Sequence, residues 1–324
     1  MVGCLEQTAQ MLRTFSKAHS TQKGYTTGWN HYLKFCAEEG YDVWMPYASP
    51  GTEVFAQQSM RLVLFVSYLF HLDVGAKSIG QYVNGVKKIH RRYFAHDVLE
   101  HHDEYQIQKK GVANFQRKHG RKVNQKAPFT WDMLERSHSF LDTRIPDDDL
   151  FLTVLTTGVS FLLRSSELLQ GTIHSIKRKD VRFRKSAEGT VLAVTIIIQS
   201  SKTSSVPVSK TLPNTGFFST ASMLHRWMTR TKSFPLWCPL FQGMSYARFN
   251  RRFKQLTSEM GLSSPGVSFA SQSLRRGGAT SMFNSGVSPL YIREWGRWSS
   301  DMWVTVYARL NMAKQLSLGQ IFCG

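Results

Sequence analysis

The chain has 324 residues, 41 Lys and Arg against 22 Asp and Glu, and a formal net charge of +19. That length is enough for two domains with apolar cores, and the charge points to a polyanionic partner, nucleic acid ahead of an anionic membrane surface. The four cysteines, Cys4, Cys36, Cys238 and Cys323, are scattered without a C-x-x-C pair, which argues against a disulfide scaffold or a zinc module. The N-terminus lacks the long apolar core of a secretory signal. The longest apolar runs, Leu62–Phe70 and Val191–Ile198, are too short to span a bilayer, so no membrane partner is expected.

The first third reads as helical. Thr21–Glu39 spaces Tyr25, Trp29, Tyr32, Leu33 and Cys36 at helical intervals, with Gly40 as its stop. Ser59–Asp73 is an apolar helix. Lys77–Tyr93 is amphipathic, with Ile79, Val83, Val86 and Ile89 on one face and Lys87, Lys88, Arg91 and Arg92 toward its negative end. His101–Gln116 is a further helix. The segment 117–128, RKHGRKVNQKAP, is basic, poor in apolar residues and carries a Gly and a Pro. It reads as a linker lying along a phosphate backbone, between an N-terminal domain at 1–116 and a second domain at 129–324.

In the second domain Thr130–Leu141 and Asp147–Leu163 read as helices. Val181–Phe183, Leu192–Gln199 and Val206–Thr211 read as strands rich in Val, Ile and Thr. Ser245–Met260 and Ser271–Ser285 are helices stopped by Gly261 and Gly286. Ser288 caps a short helix with Pro289 at its first position, and Asp301 caps a last major helix that carries Tyr307.

Several side chains in this half are suited to phosphate chemistry. Arg164, in FLLRSSELL, leaves an apolar helix, where a cation requires an anionic partner, and Glu167 stands one turn on. The pair is either structural or the start of an anion site. Lys202, in QSSKTSS, falls in a hairpin turn, either solvated or bent over a cleft. Of Arg275 and Arg276, in SLRRGGAT, one is expected to face inward and the other outward, and Gly277 and Gly278 each lower helix stability by about 1 kcal/mol relative to Ala while their small size allows close backbone packing. Trp298 offers an indole N–H donor or packing. Tyr307, among Trp303, Val306 and Leu310, is a core tyrosine or a nucleophile. A phenol with a pKa of about 10 attacks at neutral pH only beside cations that stabilise its developing charge. No carboxylate cluster has two-metal spacing, and His96, His101 and His102 read as a solvated face, so neither metal nor cofactor is expected.

Taken in order, Arg164, Lys202, QSLR, Trp298 and Tyr307 resemble the signature of the tyrosine recombinases, or phage-type integrases. LLRSSELL resembles the first-arginine motif with its acidic residue, SKT the hairpin lysine segment, and QSLRRGGAT the His-x-x-Arg box with Arg275 as second arginine. Trp298 stands at the His/Trp position, and its distance to Tyr307 fits the family spacing. The form RRGGATS…GVSP…GRWSSD is similar to Cre-type recombinases and to those of eukaryotic Crypton- and DIRS-like mobile elements. The resemblance is weak in the N-terminal half and strong after Leu162.

The resemblance implies a mainly α fold: a helical, SAM-like core-binding domain followed by a mixed α+β catalytic domain with a small antiparallel sheet. It implies double-stranded DNA as partner and a homotetramer on two DNA sites. It also implies strand cleavage through a 3′-phosphotyrosine without cofactor, with Arg164 and Arg275 on the scissile phosphate, Tyr307 as nucleophile, Lys202 as acid, Trp298 as donor and Glu167 in support. Thr21, Lys23, Lys77, Ser78 and Gln81 are the candidate DNA contacts on the two helices that resemble groove-entering helices. Arg251 and Arg252 are added from charge alone. In a eukaryotic host such a protein works in the nucleus, otherwise in the nucleoid. The departure is Gln272, where the family carries His or Lys. A glutamine cannot exchange a proton at neutral pH, so reduced activity, or a recombinase-derived DNA-binding protein, is the alternative.

Overall fold

The computed structural model describes residues 19–94, 97–119, 126–201, 204–216 and 218–300. They form two compact units, divided between Arg121 and Lys122. The first unit holds four helices: α1 (His19–Glu39), α2 (Glu53–His71), α3 (Ala76–Phe94) and α4 (Glu104–Lys118). Its core is built from Tyr32, Phe35, Leu62, Phe65, Leu69, Val83 and Val86. α1 lies against α3 at very short range, because a Cβ on Gly28 would stand 2.3 Å from the Tyr82 Cα. α2 starts at Glu53 rather than Ser59. Thr52 caps it, with Oγ1 accepting from the Phe55 N–H at 3.2 Å. Its polar first turn hides that start from a reading based on apolar periodicity.

Both ends of the basic segment belong to structured parts of the chain. Arg117 and Lys118 belong to α4. Ala127 donates its N–H to the Ser268 carbonyl at 2.8 Å, and Lys126 reaches the Ser268 hydroxyl at 3.0 Å, so both pack on the second unit.

The second unit is mixed. α5 (Trp131–Ser137) is shorter than Thr130–Leu141 because a 3-10 turn takes over at His138–Phe140. Then come α6 (Pro146–Ser160), the one-turn α7 (Ser165–Leu168), strands β1 (Val181–Lys185), β2 (Val191–Ile198) and β3 (Val208–Pro213), and helices α8 (Thr220–Arg230), α9 (Tyr246–Glu259), α10 (Ser271–Asn284) and α11 (Pro289–Gly296). The sheet is antiparallel in the order β1-β2-β3. α8 has no counterpart among the sequence expectations, whereas the expected helix carrying Tyr307 lies outside the described residues. Among the described residues, no helix is long and apolar enough to cross a membrane.

α6 is the axis of this unit: every residue from Asp149 to Val159 is buried. Its first turn carries Asp147, Asp148 and Asp149, the sign that a helix N-terminus favours. Each carboxylate holds arginine from another helix: Asp147 takes Arg248, Asp148 takes Arg252 at 2.8 Å, and the buried Asp149 takes Arg226 and, at 2.6 Å, Arg230. α8 and α9 are thereby tied to one end of α6.

α10 crosses its neighbours where it has no side chains. A Cβ on Gly277 would stand 1.6 Å from the Phe129 carbonyl oxygen, and one on Gly278 would stand 2.2 Å from that of Val159. Gly277→Ala is therefore expected to destabilise the protein by about 3 kcal/mol, the upper part of the usual overpacking range. Chemical denaturation measures this, and a loss below about 0.5 kcal/mol would contradict so close an approach.

Candidate active site

The C-terminal end of α6 leaves carbonyls without helical partners, as every helix does. Here three consecutive ones are taken by side chains from three other elements. The Trp295 indole Nε1–H, on α11, donates to the Ser160 carbonyl at 2.9 Å. Lys210 Nζ, on β3, donates to Phe161 at 2.8 Å and also to the Trp295 carbonyl. Arg275, on α10, donates to Leu162 at 2.6 Å and, through its other terminal nitrogen, to the Gly296 carbonyl. Lys210 and Arg275 are parallel straps between the end of α6 and the end of α11, and the helix dipole there favours the arginine's charge. The turn itself puts Leu162 at a φ of 48°, which aims the next residues away from the helix axis.

Arg164 follows that turn and opens α7. Glu167, the third residue of α7, reaches back so that Oε2 accepts the Arg164 backbone N–H at 2.9 Å, as in one half of a capping box. Oε1 accepts from the Arg164 guanidinium at 3.1 Å. The carboxylate, itself fully buried, also accepts two bonds from Arg297, at 3.1 and 2.6 Å. Burial raises the Glu167 pKa, but the hydrogen bonds and charge of Arg297, then the Arg164 backbone N–H and guanidinium, outweigh it and hold the carboxyl below its ordinary value.

The Trp298 ring folds back over Gly296, where a Cβ would stand 1.7 Å from it, and lies 4.4 Å from the Arg275 guanidinium carbon, a cation–π contact. The site thus joins Arg164, Glu167, Arg275 and Trp298 from three elements far apart in sequence. Arg276 is as buried as Arg275, which corrects the expected inward and outward split. Successive helical residues differ by about 100°, and both fit the broad buried face of α10. Gln272 is exposed on the first turn of α10. Lys202 and Tyr307 lie outside the described residues.

The other candidates fall elsewhere. Thr21 and Lys23 lie at the start of α1, and Lys77, Ser78 and Gln81 at the start of α3. The Gln81 side chain rests against Gly24, which brings the two helix starts together. Lys23 and Lys77 are exposed. On α9, Arg251 is exposed, whereas Arg252 is held by Asp148 and its guanidinium carbon lies 5.8 Å from the Phe151 ring centroid.

Two site residues are absent from the sequence expectations. Arg297 lies in a Gly-Arg-Trp turn that gives no sign of its partner. Lys210 had a usable signal: in VPVSKTL it alternates with Val206, Val208 and Leu212, which assigns it to the apolar face of a strand. It pairs with Ile196 of β2 and is buried. Burial first, then the charges of Arg297 and Arg275, lower its pKa to about 6, against a smaller opposing pull from Glu167. At neutral pH it is mostly a neutral amine, with two protons for its two carbonyls.

No sequence-family model matches the chain, and comparison with curated proteins returns no match. Comparison with solved structures does. A lambda integrase fragment (75–356), solved as a dimer bound to a core site, is similar over 95% of this chain and 95% of its own, with TM-score 0.59 and 13% identity. XerH site-specific recombinase, solved in a post-cleavage complex with a palindromic difH substrate, is similar over 82% of this chain and 72% of its own, with TM-score 0.57 and 17% identity. The chain therefore has the fold of the tyrosine recombinases, mainly helical with one small antiparallel sheet.

Lys210 gives the unit a stability signature in pH. The unfolded lysine keeps its proton to about pH 10, whereas the folded one loses it near pH 6. The unfolded state binds more protons across that window, so this group makes stability rise with pH from about 6 to about 10. Lys210→Met should flatten the rise by about one proton, read as the slope of unfolding free energy between pH 6.5 and about 9. Equal slopes in both proteins would mean that Lys210 stays charged when folded.

Proposed function

We propose that the protein is a site-specific DNA recombinase or integrase of the tyrosine type, encoded by a mobile element. The observation that carries this is the gathering of Arg164, Arg275 and Trp298 at the end of one buried helix, within a fold shared with DNA-bound recombinases. Two guanidiniums suit the two nonbridging oxygens of a phosphodiester, and fixed cations favour the extra charge of its transition state. Tyr307 forms the new oxygen–phosphorus bond at the 3′ side while the bond to the 5′ oxygen breaks. Lys202 gives that leaving oxygen its proton. Trp298 donates to the phosphate and packs against Arg275. The phosphotyrosine keeps the phosphodiester energy, so rejoining needs no nucleotide cofactor.

Gln272 cannot accept the phenol proton, which then passes to water. The first unit reads DNA through Thr21, Lys23, Lys77, Ser78 and Gln81, with Arg251 as a further phosphate contact on the second unit. The paired Arg252 is a weaker candidate. Full strand exchange uses four copies on two DNA sites, in the nucleus where the host is eukaryotic.

A nicked suicide DNA site tests the chemistry. Wild type should leave a denaturant-resistant protein–DNA adduct that Tyr307→Phe abolishes. An intact protein that binds its site yet never forms an adduct would be a DNA-binding derivative instead. Gln272→His should raise the rate of adduct formation at neutral pH by about tenfold or more, the lower range for an added general base. An unchanged rate would show that position 272 takes no part in proton transfer.

A further inference from the structure

We propose that Arg297 is a positioning residue for strand cleavage: it holds Glu167 so that Arg164 presents its guanidinium to the scissile phosphate. This rests on the recombinase reading above.

The first observation is the backbone. Arg297 ends α11 at φ 57°, ψ 48°, in the left-handed conformation, with its N–H on the Glu294 carbonyl and the Trp298 N–H on Arg293. Glycine occupies such a helix end without steric penalty. The turn itself has no need of an arginine, so the reason for one lies in its side chain.

The second observation is how the carboxylate is shared. Arg297 spans both Glu167 oxygens with a two-pronged fork, at 3.1 and 2.6 Å, whereas the Arg164 guanidinium bonds one oxygen at 3.1 Å. With the Arg164 N–H on Oε2, each oxygen accepts two hydrogen bonds, which fills a carboxylate's capacity. Arg297 thus occupies the bidentate geometry that Arg164 would otherwise adopt. The side chain of Arg164 is 23% exposed, that of Arg297 12% and that of Glu167 0%. The arginine nearer solvent, Arg164, is the one whose side chain takes a single oxygen of that carboxylate. Without Arg297, Arg164 would close on the buried carboxylate and withdraw from a phosphate.

Among the described residues, the charged groups that act on Glu167 are Arg297 and Arg164, and Lys210 feels Glu167 together with Arg297, Arg275 and Arg164. Arg297 does most to keep Glu167 ionised. Its loss raises the carboxyl's pKa, so Glu167 takes up a proton, and ceases to orient Arg164, at a higher pH.

The test is single-turnover adduct formation on the nicked site. Arg297→Gly should slow it by about tenfold to a hundredfold, the scale of a small misplacement of a reacting group. DNA affinity should stay within about twofold, and the acid limb of the rate–pH profile should move to higher pH. Arg297→Lys, a point charge without the fork, should restore part of the rate. In a Glu167→Gln background, Arg297→Gly should have little further effect, since the two act through one contact. A wild-type rate in Arg297→Gly, equal slowing in both backgrounds, or a parallel loss of DNA affinity would overturn the proposal. If Arg297→Gly does not fold, Arg297→Lys and the double variant carry the same comparison. No adduct from wild type would fail the recombinase reading and this proposal with it. An adduct from wild type that is indifferent to Arg297 would fail this proposal alone.

Discussion

The second unit depends on how α6 ends. A buried helix terminus presents carbonyl dipoles that water cannot reach, and each one left unsatisfied costs about 1–3 kcal/mol. Here the carbonyls of Ser160, Phe161 and Leu162 are satisfied by α11, β3 and α10 in turn. These bonds bring together segments between 49 and 135 residues apart in sequence, and they set Arg164 beside Arg275 and Trp298. The same packing that closes the core therefore builds the candidate site. The other end of α6 shows the complementary logic, with three aspartates holding four arginines from α8 and α9.

The site concentrates like charge, which needs compensation. Arg164, Arg275 and Arg297, all half-buried or buried, would repel one another where solvent screening is reduced. Two features make this tolerable: Glu167 lies between two of them, and Lys210 gives up its proton rather than add a fourth positive charge. The buried carboxylate is not by itself a source of stability, because desolvating such a group offsets much of its attraction. Its value lies in direction, since it fixes which way two guanidiniums point.

Most of the helical framework was legible in the sequence, because apolar spacing is a property of the buried face and does not depend on the neighbour. The starts of α1, α3, α10 and α11 fall within a residue or two of expectation. Arg164 and Glu167 were legible as a pair for the same local reason, and Gly277 and Gly278 as sites of close approach. What was not legible depended on partners remote in sequence. Arg276 is buried as fully as Arg275, though one residue's rotation on a helix suggested otherwise. The start of α2 is set by a cap rather than by apolar residues. α8, TASMLHRWMTR, does carry a helical apolar stripe at Ala221, Leu224, Trp227 and Met228, a signal present in the sequence that the expectations passed over. Arg297 is the sharpest case: its left-handed backbone and its bond to a residue 130 positions earlier leave no mark on the Gly-Arg-Trp turn.

The electrostatics also bear on the glutamine at 272. An arginine keeps its proton at any physiological pH, and Lys210 is mostly neutral near pH 7. Among the described residues, the three guanidiniums and Glu167 together carry a formal charge of about +2, by direct addition, that does not change across the neutral range. A pentacoordinate phosphate carries two negative charges as the nucleophile's bond forms, and a fixed field of that size stabilises it without any proton moving at position 272. Gln272, exposed on the first turn of α10, deprives the proposed reaction of a proton carrier but takes nothing from that field. In the proposed reaction the loss falls on the delivery of phenolate, whose rate rises with pH, and not on the guanidiniums proposed to receive the phosphate.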